Sequence, residues 1–167
     1  MSVSTDLIAT WRRPRAIMRK LLAMGKREDR ALAFLIGACL LIFVAQLPLL
    51  ARSNTLTPDE VPFQAELATT FFAWLLVWPL LFYGIGSVTH LAARLFGGRG
   101  TFYTARLALF WSLLASTPAW LFYGLVGGFI GPSPAKQIAG VIVLGSFLLF
   151  WSISLREAET NPDGNTP

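Results

Sequence analysis

Apolar residues in this chain neither alternate nor form stripes; they run in long blocks. Residues 31–50 carry no charge, with Gln46 as the one strongly polar side chain and Cys39 as the chain's single thiol. Twenty helical residues rising 1.5 Å each cover about 30 Å, the thickness of a bilayer's hydrocarbon layer. A second block, 67–93, holds His90 but no formal charge, and a third, 107–130, holds no charged residue. The fourth, 138–155, is Val, Ile, Leu, Phe and Trp broken only by small residues and serines. Each block predicts one transmembrane helix, the longer two crossing at a tilt. The expected fold class is all-α, a polytopic membrane helix bundle of about four transmembrane helices.

Ahead of the first block, Leu7, Ile8, Trp11, Met18, Leu21 and Leu22 recur near helical spacing among Arg12, Arg15, Arg19 and Lys20. This pattern predicts an amphipathic basic N-terminal helix suited to the headgroup layer, where Arg and Lys meet anionic lipid. Asp6 is a candidate cap, whereas Pro14 suits a first turn and sets a start there. Three segments follow: a basic cytoplasmic segment 1–30, a four-span membrane domain 31–155, and a tail 156–167. The tail is acidic and rich in Pro, Asn and Gly, which predicts disorder.

Composition sharpens the membrane reading. Residues are 54% hydrophobic and 14% charged, against roughly 25% charged in soluble domains. A secretory signal has a shorter apolar core than residues 31–50, which favours an anchored chain over a cleaved one. The fourteen basic residues divide 8, 1, 3, 1 and 1 among the N-terminal segment, the three connections and the tail. High counts alternate with low ones, so the positive-inside bias predicts cytoplasmic N- and C-termini in a cell inner membrane. The net charge of +5 is then an orientation and lipid-surface signal. No nucleic-acid motif accompanies it, and nucleic acid is not an expected partner. One Cys leaves no intrachain disulfide.

Candidate chemistry is sparse, and no enzyme is expected. Ser87 and His90 share a helical face, but no orienting acid is evident beside them, so His90 with Arg94 reads as headgroup contact. One His, one Cys and loop carboxylates do not make a metal shell, and no cofactor is expected. Every Asp and Glu lies in a loop or terminus, which weakens a coupled carrier but leaves an oligomeric channel or small transport component as the alternative. The loop Gly97-Gly98-Arg99-Gly100 reads as a tight turn, with an anion site on its amides and Arg99 as the second reading. Pro79 and Pro118 lie inside the second and third spans and predict kinks. The letters Leu-Phe-Tyr-Gly follow each proline, by chance or as a vestigial inverted repeat. Gly124 with Gly128 and Gly127 with Gly131 form GxxxG pairs for close packing, within the bundle or between copies. Trp74, Trp78, Trp111, Trp120 and Trp151 read as lipid anchors. The residues expected to matter are therefore the packing and kink set Gly124, Gly127, Gly128, Gly131, Pro79 and Pro118. Beside it stands a cytoplasmic lipid-contact set of Arg12, Arg13, Arg15, Arg19, Lys20, Gly97, Gly98 and Arg99.

The basic segment Trp11-Arg12-Arg13-Pro14-Arg15-Ala16-Ile17-Met18, the span ending His90-Leu91-Ala92-Ala93-Arg94-Leu95-Phe96, the loop Gly97-Gly98-Arg99-Gly100-Thr101-Phe102 and the in-span Pro118 combine in a recognisable way. Together they resemble the bacterial branch of the Yip family, the Ypt/Rab-interacting-protein domain, over roughly residues 6–155. The resemblance implies a multi-span, non-enzymatic membrane protein. Eukaryotic relatives are associated with Rab GTPases and vesicle traffic, a role that does not carry over to bacteria. Five spans are common in the family against the four counted here, and the resemblance implies no specific binding residue. The expected function is a membrane scaffold or adaptor working through helix packing and through contacts with membrane lipid and with another membrane protein or a second copy.

Overall fold

The computed structural model describes residues 3–56 and 62–161. Asp59 and Glu60 of the first connection, and the tail from 162 on which disorder was expected, lie outside the described residues. The described residues form α1 (Val3–Thr10), α2 (Pro14–Ala23), α3 (Glu28–Leu56), α4 (Phe63–Phe72), a π-helical stretch (Ala73–Val77), α5 (Trp78–Leu95), α6 (Phe102–Ala115), α7 (Thr117–Phe129) and α8 (Pro134–Thr160). The fold is all-α. Three helical stretches, α3, α4 through α5, and α8, are long and apolar enough to cross a membrane; α6 and α7, bent by 41°, make a fourth if taken together.

Local chemistry places the ends. Glu28 and Asp29 stand in the first turn of α3, where the helix dipole favours negative charge. Thr101 and Thr104 close a capping box at the start of α6: the Thr104 amide donates to Thr101 Oγ1 and the Thr101 amide to Thr104 Oγ1. Ser133 caps α8 by accepting from the Lys136 amide, with Pro134 in the first turn. Pro79 is the second residue of α5, one residue past the π-helical stretch. A proline lacks its amide donor and crowds the carbonyl four residues back, and a widened turn relieves both. Pro118 stands in the first turn of α7, immediately past the Ser116 break where the third span bends.

At the centre lies α6. Every residue from Leu107 to Ala115 is buried, with α3, α5 and α8 packed around it. This corrects the lipid-anchor reading of Trp111, which is 1% exposed. Its indole donates to Thr10 Oγ1, and its ring meets Phe34 edge-on at 5.0 Å.

The N-terminal segment is two helices rather than one. Asp6 sits within α1 and pairs with Lys20 of α2 at 2.6 Å, so it ties a helical hairpin together and does not cap a single long helix. Pro14 opens α2, whose buried Ile17, Met18, Leu21 and Leu22 join the main core. At the hairpin's tip, Trp11 donates from its indole to the Ala115 carbonyl and meets Phe150 of α8 edge-on at 5.1 Å.

The glycines of α7 fit against α3. A Cβ on Gly124 would collide with the Ala45 carbonyl, one on Gly128 with Pro48, and one on Gly127 would press on the Leu49 side chain at 3.1 Å. Gly131, at φ +84°, lies under the Arg52 guanidinium, which donates to the Gly128 and Phe129 carbonyls at the end of α7. The two GxxxG pairs are thus used inside the bundle. In α8, Gly145 has nothing near the position of a Cβ. Gly124→Ala should therefore cost at least about 1–3 kcal/mol through overpacking against backbone, while Gly145→Ala should be neutral or stabilise by up to about 1 kcal/mol through helix propensity. Unfolding of the two variants in detergent micelles checks the contrast.

Candidate functional site

The densest polar chemistry lies where α5, the loop after it, α2 and the last turn of α8 meet. Glu159, 8% exposed, is held from two sides. Its Oε1 stands 3.2 Å from His90 Nδ1 on α5, and its Oε2 accepts from the Gly100 amide at 2.9 Å. The Arg99 amide donates to the Glu159 main-chain carbonyl at 3.0 Å. Two residues earlier, Glu157 accepts from Arg19 Nε at 2.6 Å and so fixes α2 to the same helix end.

Loop shape makes this possible. Gly97 adopts φ +84°, and its amide, like that of Gly98, donates back into the last turn of α5. A Cβ on Gly98 would meet the Glu159 carboxylate, and one on Gly100 would lie 2.7 Å from Glu159 Oε2. The loop does cradle an anion on a backbone amide, and the anion is the chain's own carboxylate.

His90 is 4% exposed, with its ring centroid 4.5 Å from that of Phe102. This corrects its reading as a headgroup contact. The acid missing from the sequence pattern is present as Glu159, but the nucleophile is not in place, because the Ser87 hydroxyl donates to the Tyr83 carbonyl within its own helix. No group of three or more metal-ligating side chains occurs among the described residues.

The Yip1 domain family model matches residues 8–160. The chain belongs to the Yip1 domain family. Neither a curated protein nor a solved structure matches it. The domain match ends at Thr160, the last residue of α8, and so takes in both Glu157 and Glu159.

In this Yip1 domain chain the residues of the sequence-derived lipid-contact set divide into two kinds. Arg19 and Lys20 are engaged with Glu157 and Asp6. Gly97, Gly98 and the Arg99 backbone shape the Glu159 clasp, while the Arg99 side chain is exposed. Arg12, Arg13 and Arg15 are exposed at and just beyond the hairpin turn and have no carboxylate partner among the described residues. The packing set lies elsewhere: Gly124, Gly127, Gly128 and Gly131 against α3, Pro79 at the π-helical stretch and Pro118 at the bend.

Sequence reasoning missed Glu157 and Glu159 by assigning 156–167 to a disordered tail; residues 156–160 are the end of α8, and Glu157, Ala158 and Glu159 are buried. An available signal was charge complementarity, two acids just past an apolar span in a chain whose N-terminus is basic. Pro48, inside α3 and beneath Gly128, was also missed. A double-mutant cycle tests the clasp. Gly100→Ala and Glu159→Ala should each destabilise, and together should cost less than their sum by about 1 kcal/mol or more, because the alanine methyl has no carboxylate left to meet. Additive losses in micelle unfolding would show that the loop and Glu159 do not interact.

Proposed function

We propose that this protein is a non-enzymatic membrane scaffold or adaptor of the bacterial Yip type, seated in the cell inner membrane with both termini cytoplasmic. The observation that carries the reading is the α1–α2 hairpin. It presents Arg12, Arg13 and Arg15 exposed and, among the described residues, without a carboxylate partner; the Asp6–Lys20 ion pair closes the hairpin, and the Arg19–Glu157 ion pair and the Trp11 indole hold it against the bundle. A fixed basic surface attracts anionic lipid headgroups and an acidic face of another membrane protein without first having to be ordered.

Two further observations support a scaffold over a catalyst or carrier. The Ser112, Ser116 and Thr117 hydroxyls in the core donate to carbonyls of α6 three or four residues back, which engages them in the backbone of the bend. The buried acids Glu157 and Glu159 sit at a helix end in ion pairs or hydrogen bonds, away from the middle of the spans. A small transport component working as an oligomer is the competing reading, and solute flux in proteoliposomes would favour it.

The test is the triple variant Arg12→Gln, Arg13→Gln, Arg15→Gln, crosslinked in native membranes and extracted in mild detergent. At roughly 1 kcal/mol per basic residue near an anionic surface, recovery of anionic lipid and of a reproducible membrane partner should weaken up to about a hundredfold. Unchanged recovery with an unchanged circular dichroism spectrum would refute the hairpin as the contact surface.

A further inference from the structure

At the opposite end of α8 from Glu159, α5 and α8 stand apart and leave a cavity of about 430 Å³. Aromatic rings of Trp74, Trp78, Trp120, Tyr123 and Phe147 line it together with Gly140. Such a volume lies within the range that takes a small ligand. Its wall is apolar, it lies among residues of the membrane-spanning helices, and two polar side chains, Lys136 and Tyr123, stand beside its mouth.

Lys136, in the first turn of α8, holds its ammonium 5.6 Å from the Tyr123 ring centroid, and among the described residues it has no carboxylate partner. The Tyr123 hydroxyl makes no hydrogen bond to another described residue. Depth fits as well. From Lys136 to Phe147 α8 rises about 16 Å, close to the roughly 15 Å of one leaflet's hydrocarbon.

We infer that this cleft holds one acyl chain of a diacyl phospholipid, with the phosphate at Lys136 and Tyr123 at its mouth. Ammonium and hydroxyl at the rim match a phosphodiester. The aromatic wall matches the chain. Gly140 lies in this wall, and an added Cβ there meets only Tyr123, at an ordinary 3.5 Å, so a larger side chain at this position fits on the helix and fills the cleft. The inference stands apart from the hairpin reading, since it uses the other end of the bundle and none of the hairpin's residues.

The experiment reconstitutes the full chain in nanodiscs containing a trace of phospholipid with a photoactivatable group at the end of one acyl chain, and maps the labelled peptides. Label should concentrate on peptides covering 74–82 and 140–147. Lys136→Gln should reduce it about fivefold, the effect of one surface charge worth about 1 kcal/mol. Diacylglycerol carrying the same label, which lacks the phosphate, should show a similar deficit. Gly140→Leu should abolish cleft labelling while leaving the unfolding midpoint within a few degrees. Label spread evenly over all lipid-facing helices, or indifference to both Lys136→Gln and Gly140→Leu, would overturn the inference. So would competition by inorganic phosphate alone, which would make the site one for a free anion. Chain-to-chain crosslinks across the cleft, marking a second copy as its occupant, would overturn it equally.

Discussion

A carboxylate taken out of water must be hydrogen-bonded or ion-paired, or its burial costs several kcal/mol. Glu159 sets that demand at the end of α8, and much of the architecture at this end answers it. His90 has to be carried there by α5, Gly100 has to present an amide, and Gly98 and Gly100 have to lack side chains so that the carboxylate fits. The neighbouring Glu157 brings in Arg19, which fixes α2 and with it the hairpin. Two bonds and an ion pair thus couple three segments that are far apart in sequence: α2, α5 with the loop after it, and α8.

Away from that clasp, packing takes over. Lipid tails are as apolar as the helices, so helices associate in a bilayer through close contact rather than through the hydrophobic effect. Here α7 approaches α3 on the Gly124 and Gly128 face, and Arg52 seals the carbonyls at the end of α7. The buried α6 fills the centre, with Trp111 bonded to Thr10 of α1. At the Glu159 end α5 and α8 are joined through His90, and further along both contribute to the wall of the aromatic cleft.

The membrane class, the apolar blocks and the breaks at Pro14 and Pro118 were legible in the sequence, because block length and proline stereochemistry are local properties. The ends of α8 and α3 were not. Polarity argued that α8 stops at Leu155, yet it runs to Thr160, since partners distant in sequence satisfy its acids. Pro48 lies inside α3 despite its missing donor, packed beneath Gly128. His90 looked like an interfacial residue for the same reason: its partner lies 69 residues away, and no local pattern announces it. Gly97 and Gly98 were read correctly as turn formers, and the Glu159 carboxylate they admit became visible only once the fold closed.

Both the scaffold reading and the fixed hairpin depend on α8 being ordered to its last turn. Hydrogen–deuterium exchange of the amides from Glu157 to Thr160, measured on the full chain in nanodiscs, tests that directly. The clasp predicts protection continuous with the rest of α8, and a marked acceleration of these amides in Glu159→Gln. Exchange at the rate of an unstructured tail in the wild-type chain would contradict the account.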